Sequence, residues 1–113
     1  MRPRPGAPAP QHNDWTDAWP IVDVLAHKWT LDILDVLQAG PQRPRDLALA
    51  IKPSPSPKML TTGLRRLDGA GLISKSTPDD DPRGALYALT SSAESLRHLI
   101  TRLSRWTRTN LTE

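Results

Sequence analysis

No cysteine occurs in the 113 residues. Disulfides, thiolate nucleophiles, Cys-ligated zinc, Cys-bound iron–sulfur clusters and a thiol-oxidation sensor are thereby excluded. Three histidines, His12, His27 and His98, share no ligand spacing such as H-x-x-x-H, so no metal site is expected. No apolar run approaches the length of a membrane span, about 18 consecutive residues. The opening Met1-Arg-Pro-Arg-Pro lacks the apolar segment of a secretory signal. There is no cluster of His, Cys and carboxylate and no phosphate-binding glycine loop, so neither an enzyme nor a cofactor is expected. These absences predict a cytoplasmic protein with no membrane partner, of a length suited to one domain.

What is present is an uneven distribution of charge. The chain carries 15 Lys and Arg against 12 Asp and Glu, a formal net charge of +3. Residues 1–40 hold three basic against five acidic side chains, residues 41–76 seven against two, and residues 77–113 five of each. A surplus of +5 in the middle third suits a surface that meets a polyanion, although a solvated helical face has the same composition.

Residues 1–14 are rich in proline and poor in apolar side chains, which predicts a disordered arm ahead of a domain over 15–113. Trp19, Ile21, Val24 and Leu25 follow helical spacing, with Pro20 tolerable in a first turn. Lys28 to Leu37 places Trp29, Ile33, Val36 and Leu37 on one face, widened by Leu31 and Leu34, and Gly40-Pro41 stops this central helix. A short helix is expected over Arg45–Ile51. The prolines of Pro53-Ser-Pro-Ser-Pro57 then make a rigid turn. Ser56 is a good N-cap and Pro57 a good first residue for a helix to about Asp68, with Leu60, Leu64 and Leu67 inward. Residues 72–76 and 85–89 read as strands of a hairpin around the polar turn 77–84. Thr90 caps a last helix with the stripe Leu96, Leu99, Ile100, Leu103 and Trp106, and Ser91 and Glu94 also have capping-box spacing.

This order of elements predicts a mainly α fold with a small β-hairpin, a winged helix-turn-helix. In such a fold the helix over residues 56–68 enters the DNA major groove, and the hairpin over 72–89 lies near the backbone or minor groove. Removing the leucine stripe from that helix leaves Lys58, Thr61, Thr62, Arg65 and Arg66 outward, with Ser56 at its start. Arg can bond guanine O6 and N7 together, while Lys and Thr suit phosphates. Arg43 and Arg45 stand where backbone contacts fall, and Arg83 is at the wing tip beside Asp79, Asp80 and Asp81, whose charge opposes phosphate. Gly63 either permits close approach to another surface or is simply a weak spot in the helix.

The residues also resemble a known family, the HxlR-type winged-helix regulators of the MarR-like group. The matching pieces are Lys28-Trp-Thr with Ile33-Leu34, Gly40-Pro41-Gln-Arg43 with Asp46-Leu47, and Ser56-Pro-Lys-Met-Leu-Thr61 with Leu64 and Leu67. Further on come Gly71-Leu-Ile73, Tyr87-Ala-Leu-Thr90, Leu103 and Trp106. The resemblance spans about residues 20–110 and implies a dimeric bacterial transcription factor, nucleoid-associated, whose terminal helices form the dimer interface. The departures are specific. The family's cysteine near the first helix is absent around Trp15–Asp17, and Ser54-Pro55-Ser56 stands for its Gly-Ile-Ser turn. Pro44 falls where an aromatic is common, and the wing reads Pro82-Arg83-Gly84-Ala85-Leu86-Tyr87 in place of Pro-Pro, a basic residue and Val-Glu-Tyr.

Three large aromatics near the chain ends, Trp15, Trp19 and Trp106, exceed what one small core needs. With Leu96, Leu99 and Leu103 they predict a homodimer interface. The expected function is regulation of transcription through double-stranded DNA, at a pseudo-palindromic operator. The other reading is a winged-helix module for protein contact with little or no DNA binding, which the acidic wing would suit.

Overall fold

A computed structural model describes residues 14–81 and 84–111. The elements run α1 (Asp14–Asp17), α2 (Trp19–Leu25), α3 (Lys28–Leu37), α4 (Pro44–Ala50), α5 (Pro57–Gly69), β1 (Ile73–Ser76), β2 (Leu86–Leu89) and α6 (Ser91–Asn110). All but the last residue of the expected arm lies outside the described residues; Asp14 opens the four-residue α1.

The turns form where side chains or glycines satisfy the free ends of helices. Pro20 lies in the first turn of α2, where its missing N–H removes no bond. Ser56 is extended and its Oγ accepts from Met59 N at 3.1 Å, which starts α5 at Pro57. The end of α5 is a full Schellman closure. Gly71 takes a φ of 74°, its N–H donates to Asp68 O, and Leu72 N–H donates to Leu67 O, both at 3.0 Å. The short α4 begins at Pro44, one residue before the expected start, because proline fixes a helical φ there; its last expected residue, Ile51, is already extended.

The core gathers Ile33 and Leu37 of α3, Leu47 of α4, Leu60, Leu64 and Leu67 of α5, and Ile51, Leu72, Ile73 and Ala93 around them. Helix α3 is the hub, packing on α2, α4, α5 and β2. One expectation fails here: Leu31 does not widen the buried face of α3 but stays exposed, on the side turned toward α6. The deepest polar side chain is Thr30, fully buried at the start of α3, with its hydroxyl 2.8 Å from Val24 O and 2.6 Å from His27 O. That hydroxyl shares its single proton between the two carbonyls and so bridges the bend between α2 and α3.

Gly63 sits where α5 crosses α3. A Cβ built on it would lie 2.8 Å from Ile33 Cδ1 and 3.7 Å from Trp29 Cβ. Ile33 is fully buried and has no solvent to swing into. Gly63→Val should therefore lower stability by about 1–3 kcal/mol, the usual cost of overpacking. A urea titration of the two proteins measures it, and an unchanged midpoint would mean that the two helices separate freely.

The hairpin pairs Ile73 with Leu89 through to Ser76 with Leu86, antiparallel. A further bridge joins Gln42 to Tyr87, with N–H to O distances of 2.9 and 2.8 Å in the two directions. The segment ahead of α4 therefore acts as a one-residue third strand on the wing. Thr90 closes the base of the hairpin: its hydroxyl donates to Gly71 O at 2.6 Å and its N–H to Leu72 O at 3.0 Å, while the same hydroxyl accepts from Ala93 N and starts α6. Thr90, not Ser91, is thus the N-cap.

Candidate nucleic-acid interface

Helix α5 divides sharply between two faces. Leu60, Gly63, Leu64 and Leu67 are buried, whereas Lys58, Met59, Thr61, Thr62, Arg65 and Arg66 are exposed. Helical spacing places Lys58, Thr61, Thr62 and Arg65 in one stripe and sets Arg66 beside it. From Lys58 to Arg65 the helix rises about 10 Å, a length that spans about three base pairs of stacked DNA. Arg66 also lies in the last turn, where a positive charge complements the helix dipole. Ser56 is exposed, but its oxygen is engaged in capping α5.

The exposed stripe borders a cleft between α5, the start of α4 and the wing. Thr61, Arg65, Asp68, Pro44, Lys75 and Tyr87 line it. Lys75 of β1 thus joins Arg65 at one cleft, although reading the sequence alone did not single it out. The available signal was weak: Lys75 counted toward the basic middle third, and its strand is only four residues long. Asp68 brings one negative charge to the same cleft.

The other expected contacts are distributed differently. Arg45 is exposed in the first turn of α4. Arg43 is half-buried and turned toward the wing, where Nη1 donates to Gly84 O at 3.0 Å and Nη2 pairs with the Asp81 carboxylate. Arg83 lies outside the described residues.

The terminal helices carry apolar side chains in solvent. Trp15 is 88% exposed, Trp19 64% and Trp106 54%, and Leu99 and Leu103 are also exposed. Leu96 differs, being half-buried against the core. A groove between α2 and α6 is lined by Val22, Leu25, Leu31, Ile100 and Leu103. No helix among the described residues is long and apolar enough to cross a membrane.

Known proteins are similar to this chain in sequence and in fold. The sequence profile of the HxlR-like helix-turn-helix family matches residues 24–113. YkvN of Bacillus subtilis, an uncharacterized HTH-type transcriptional regulator, is 33% identical over 84 residues, 74% of this chain and 70% of that protein. Among solved structures, a transcriptional regulator of the MarR family from Enterococcus faecalis superposes with a TM-score of 0.80 at 24% identity, covering 91% of this chain and 93% of its own. The reduced form of the regulator YodB from B. subtilis gives 0.75 at 23% identity, over 89% and 95%. At those identities the two structures speak for the fold, a winged helix of MarR type. The profile match and the relative speak for more: the chain belongs to the HxlR-like helix-turn-helix family of transcriptional regulators.

Proposed function

We propose that this regulator binds specific DNA as a homodimer, with α5 in the major groove and the β1–β2 wing beside the backbone or minor groove. The observation that carries the reading is the two-faced α5: its inner face is locked in the core, so Lys58, Thr61, Thr62, Arg65 and Arg66 are held rigidly outward. A rigid helix presenting Arg and small hydroxyls matches what base edges and phosphates accept. Arg45 and Lys75 flank it as phosphate contacts. The test is the salt dependence of binding to generic duplex and to genomic fragments. The logarithm of the affinity should fall with the logarithm of salt by about 0.9 per phosphate neutralised. Undetectable binding to both at low salt would favour the protein-contact module, for which the acidic wing would be the docking surface.

The dimer reading rests on the apolar terminal face. One winged helix covers a short half-site, so specificity calls for two related by a two-fold axis and set about one DNA turn apart. Trp15, Trp19, Leu99, Leu103 and Trp106 would be covered in that assembly, with Leu96 at its inner edge. Large aromatics at the centre of an interface carry much of its energy, so Trp106→Ala should weaken dimerisation by about 2 kcal/mol or more. Sedimentation at micromolar concentration measures this, and DNA affinity should fall with it. A clean monomer for the unsubstituted protein under the same conditions would remove the dimer.

A further inference from the structure

We infer that Arg43 is a positioning residue for the wing and not a DNA contact, and that its partner Asp81 serves binding instead of opposing it. The inference rests on the DNA-binding reading above and assigns a role within it. By its place ahead of α4, Arg43 suits a phosphate contact. Here the guanidinium side chain is only 13% exposed and its partner carboxylate 15%. Two of its nitrogens are engaged across the hairpin loop, one on the Gly84 carbonyl and one on Asp81. A fork of this kind fixes orientation as well as distance, because the guanidinium is planar and its donors are rigidly spaced.

The neighbouring backbone strengthens the assignment. Gln42 is bridged to Tyr87 by two hydrogen bonds, so backbone and side chain of consecutive residues hold the wing at two points. Arg43 is itself fixed from the other direction, since its N–H is capped by Asp46 Oδ2 at 3.4 Å in the first turn of α4. Gly84, with a φ of 85°, turns its carbonyl back toward this fork in a conformation that other residues resist. The wing is therefore tied to the start of α4, and α4 to α5 through α3 and the core. Charge gives a second reason. Asp79, Asp80 and Asp81 lie in the wing loop, and a phosphate nearby would meet three carboxylates. The Arg43 cation neutralises one of them inside a contact largely withdrawn from water, where salt screens it poorly.

Opposite signs separate this role from direct contact. As a wing clamp, Arg43→Gln weakens DNA binding roughly tenfold, the scale of one lost charge-assisted hydrogen bond, and leaves the salt slope unchanged. Asp81→Asn weakens binding as well, and the double variant is no worse than either single one, because both remove the same tie. As a phosphate contact, Arg43→Gln lowers the slope by about 0.9 per protomer, and Asp81→Asn tightens binding by removing a repelling charge. That pair of results overturns the assignment.

A measurement without DNA keeps the two claims apart. Amide hydrogen exchange at Gln42 and Tyr87 should quicken in both Arg43→Gln and Asp81→Asn, relative to amides of α3. Unchanged exchange overturns the clamp whatever the protein binds. Faster exchange in a protein that binds no DNA leaves the clamp standing and removes only the DNA-binding reading.

Discussion

Arg65→Ala should lower affinity for a specific site by roughly 2–6 kcal/mol if, as proposed, a dimer sets this residue on a base edge in each protomer, each such contact being worth about 1–3 kcal/mol. Even the lower bound is about a thirtyfold loss. Arg65 is the last member of the exposed stripe on α5 and lines the cleft toward Lys75, so it stands where helix and wing converge. Anisotropy titrations against specific and random duplex at one salt concentration measure the effect. The loss should be concentrated on the specific duplex. Arg65→Lys should fail to restore it, because an ammonium cannot bond guanine O6 and N7 in the planar fork an arginine presents. Equal losses on both duplexes, rescued by lysine, would instead assign Arg65 to a phosphate.

Leu67→Ala should cost about 2–5 kcal/mol of folding stability, the range for truncating a fully buried leucine. Leu67 has no exposed surface, and the carbonyl of the same residue closes the end of α5 by accepting from Leu72. Small domains have about 5–15 kcal/mol in all, so the substitution removes a large share. Leu49→Ala on α4 is the control: Leu49 is 61% exposed and its loss should be nearly neutral. Guanidinium titrations of the two variants decide the matter. A Leu67→Ala midpoint no lower than that of Leu49→Ala would show that the core does not close as described.

Features encoded within a few residues of one another were legible from the sequence. Ser56 before Pro57 marks a helix start because cap and bonded amide are three positions apart. The glycines after Asp68 mark its end because only a positive φ completes the closure at Gly71. The leucine stripe of α5 predicts its buried side because helical periodicity is local. The exposed stripe followed by subtraction, and Lys58, Thr61, Thr62, Arg65 and Arg66 are all in solvent.

What was not legible depends on partners distant in sequence. Arg43 meets Gly84 across 41 residues and Asp81 across 38, and nothing in its neighbours distinguishes a wing contact from a phosphate contact. Thr30 reads as one more helical threonine until the bend brings Val24 O above it. Leu31 looks like core by spacing, but whether it is covered depends on how closely α6 approaches α3. Lys75 gains meaning only when the strand is laid beside α5.

The closure at Thr90, with Ala93 in the core and Leu96 against it, anchors the start of α6 and makes the rest of the helix a lever. Twenty residues of helix extend about 30 Å from that point. A rotation of about 10° there displaces the far end, near Asn110, by about 5 Å at the helical rise per residue. In a dimer joined through this helix, the same rotation resets the separation of the two reading heads, while DNA offers its half-sites at fixed steps of about 34 Å. Thr90→Val keeps the shape of the side chain but removes the hydroxyl that ties the start of the helix to Gly71. Its signature would be a relaxed preference for half-site spacing, with the bases read inside each half-site unchanged.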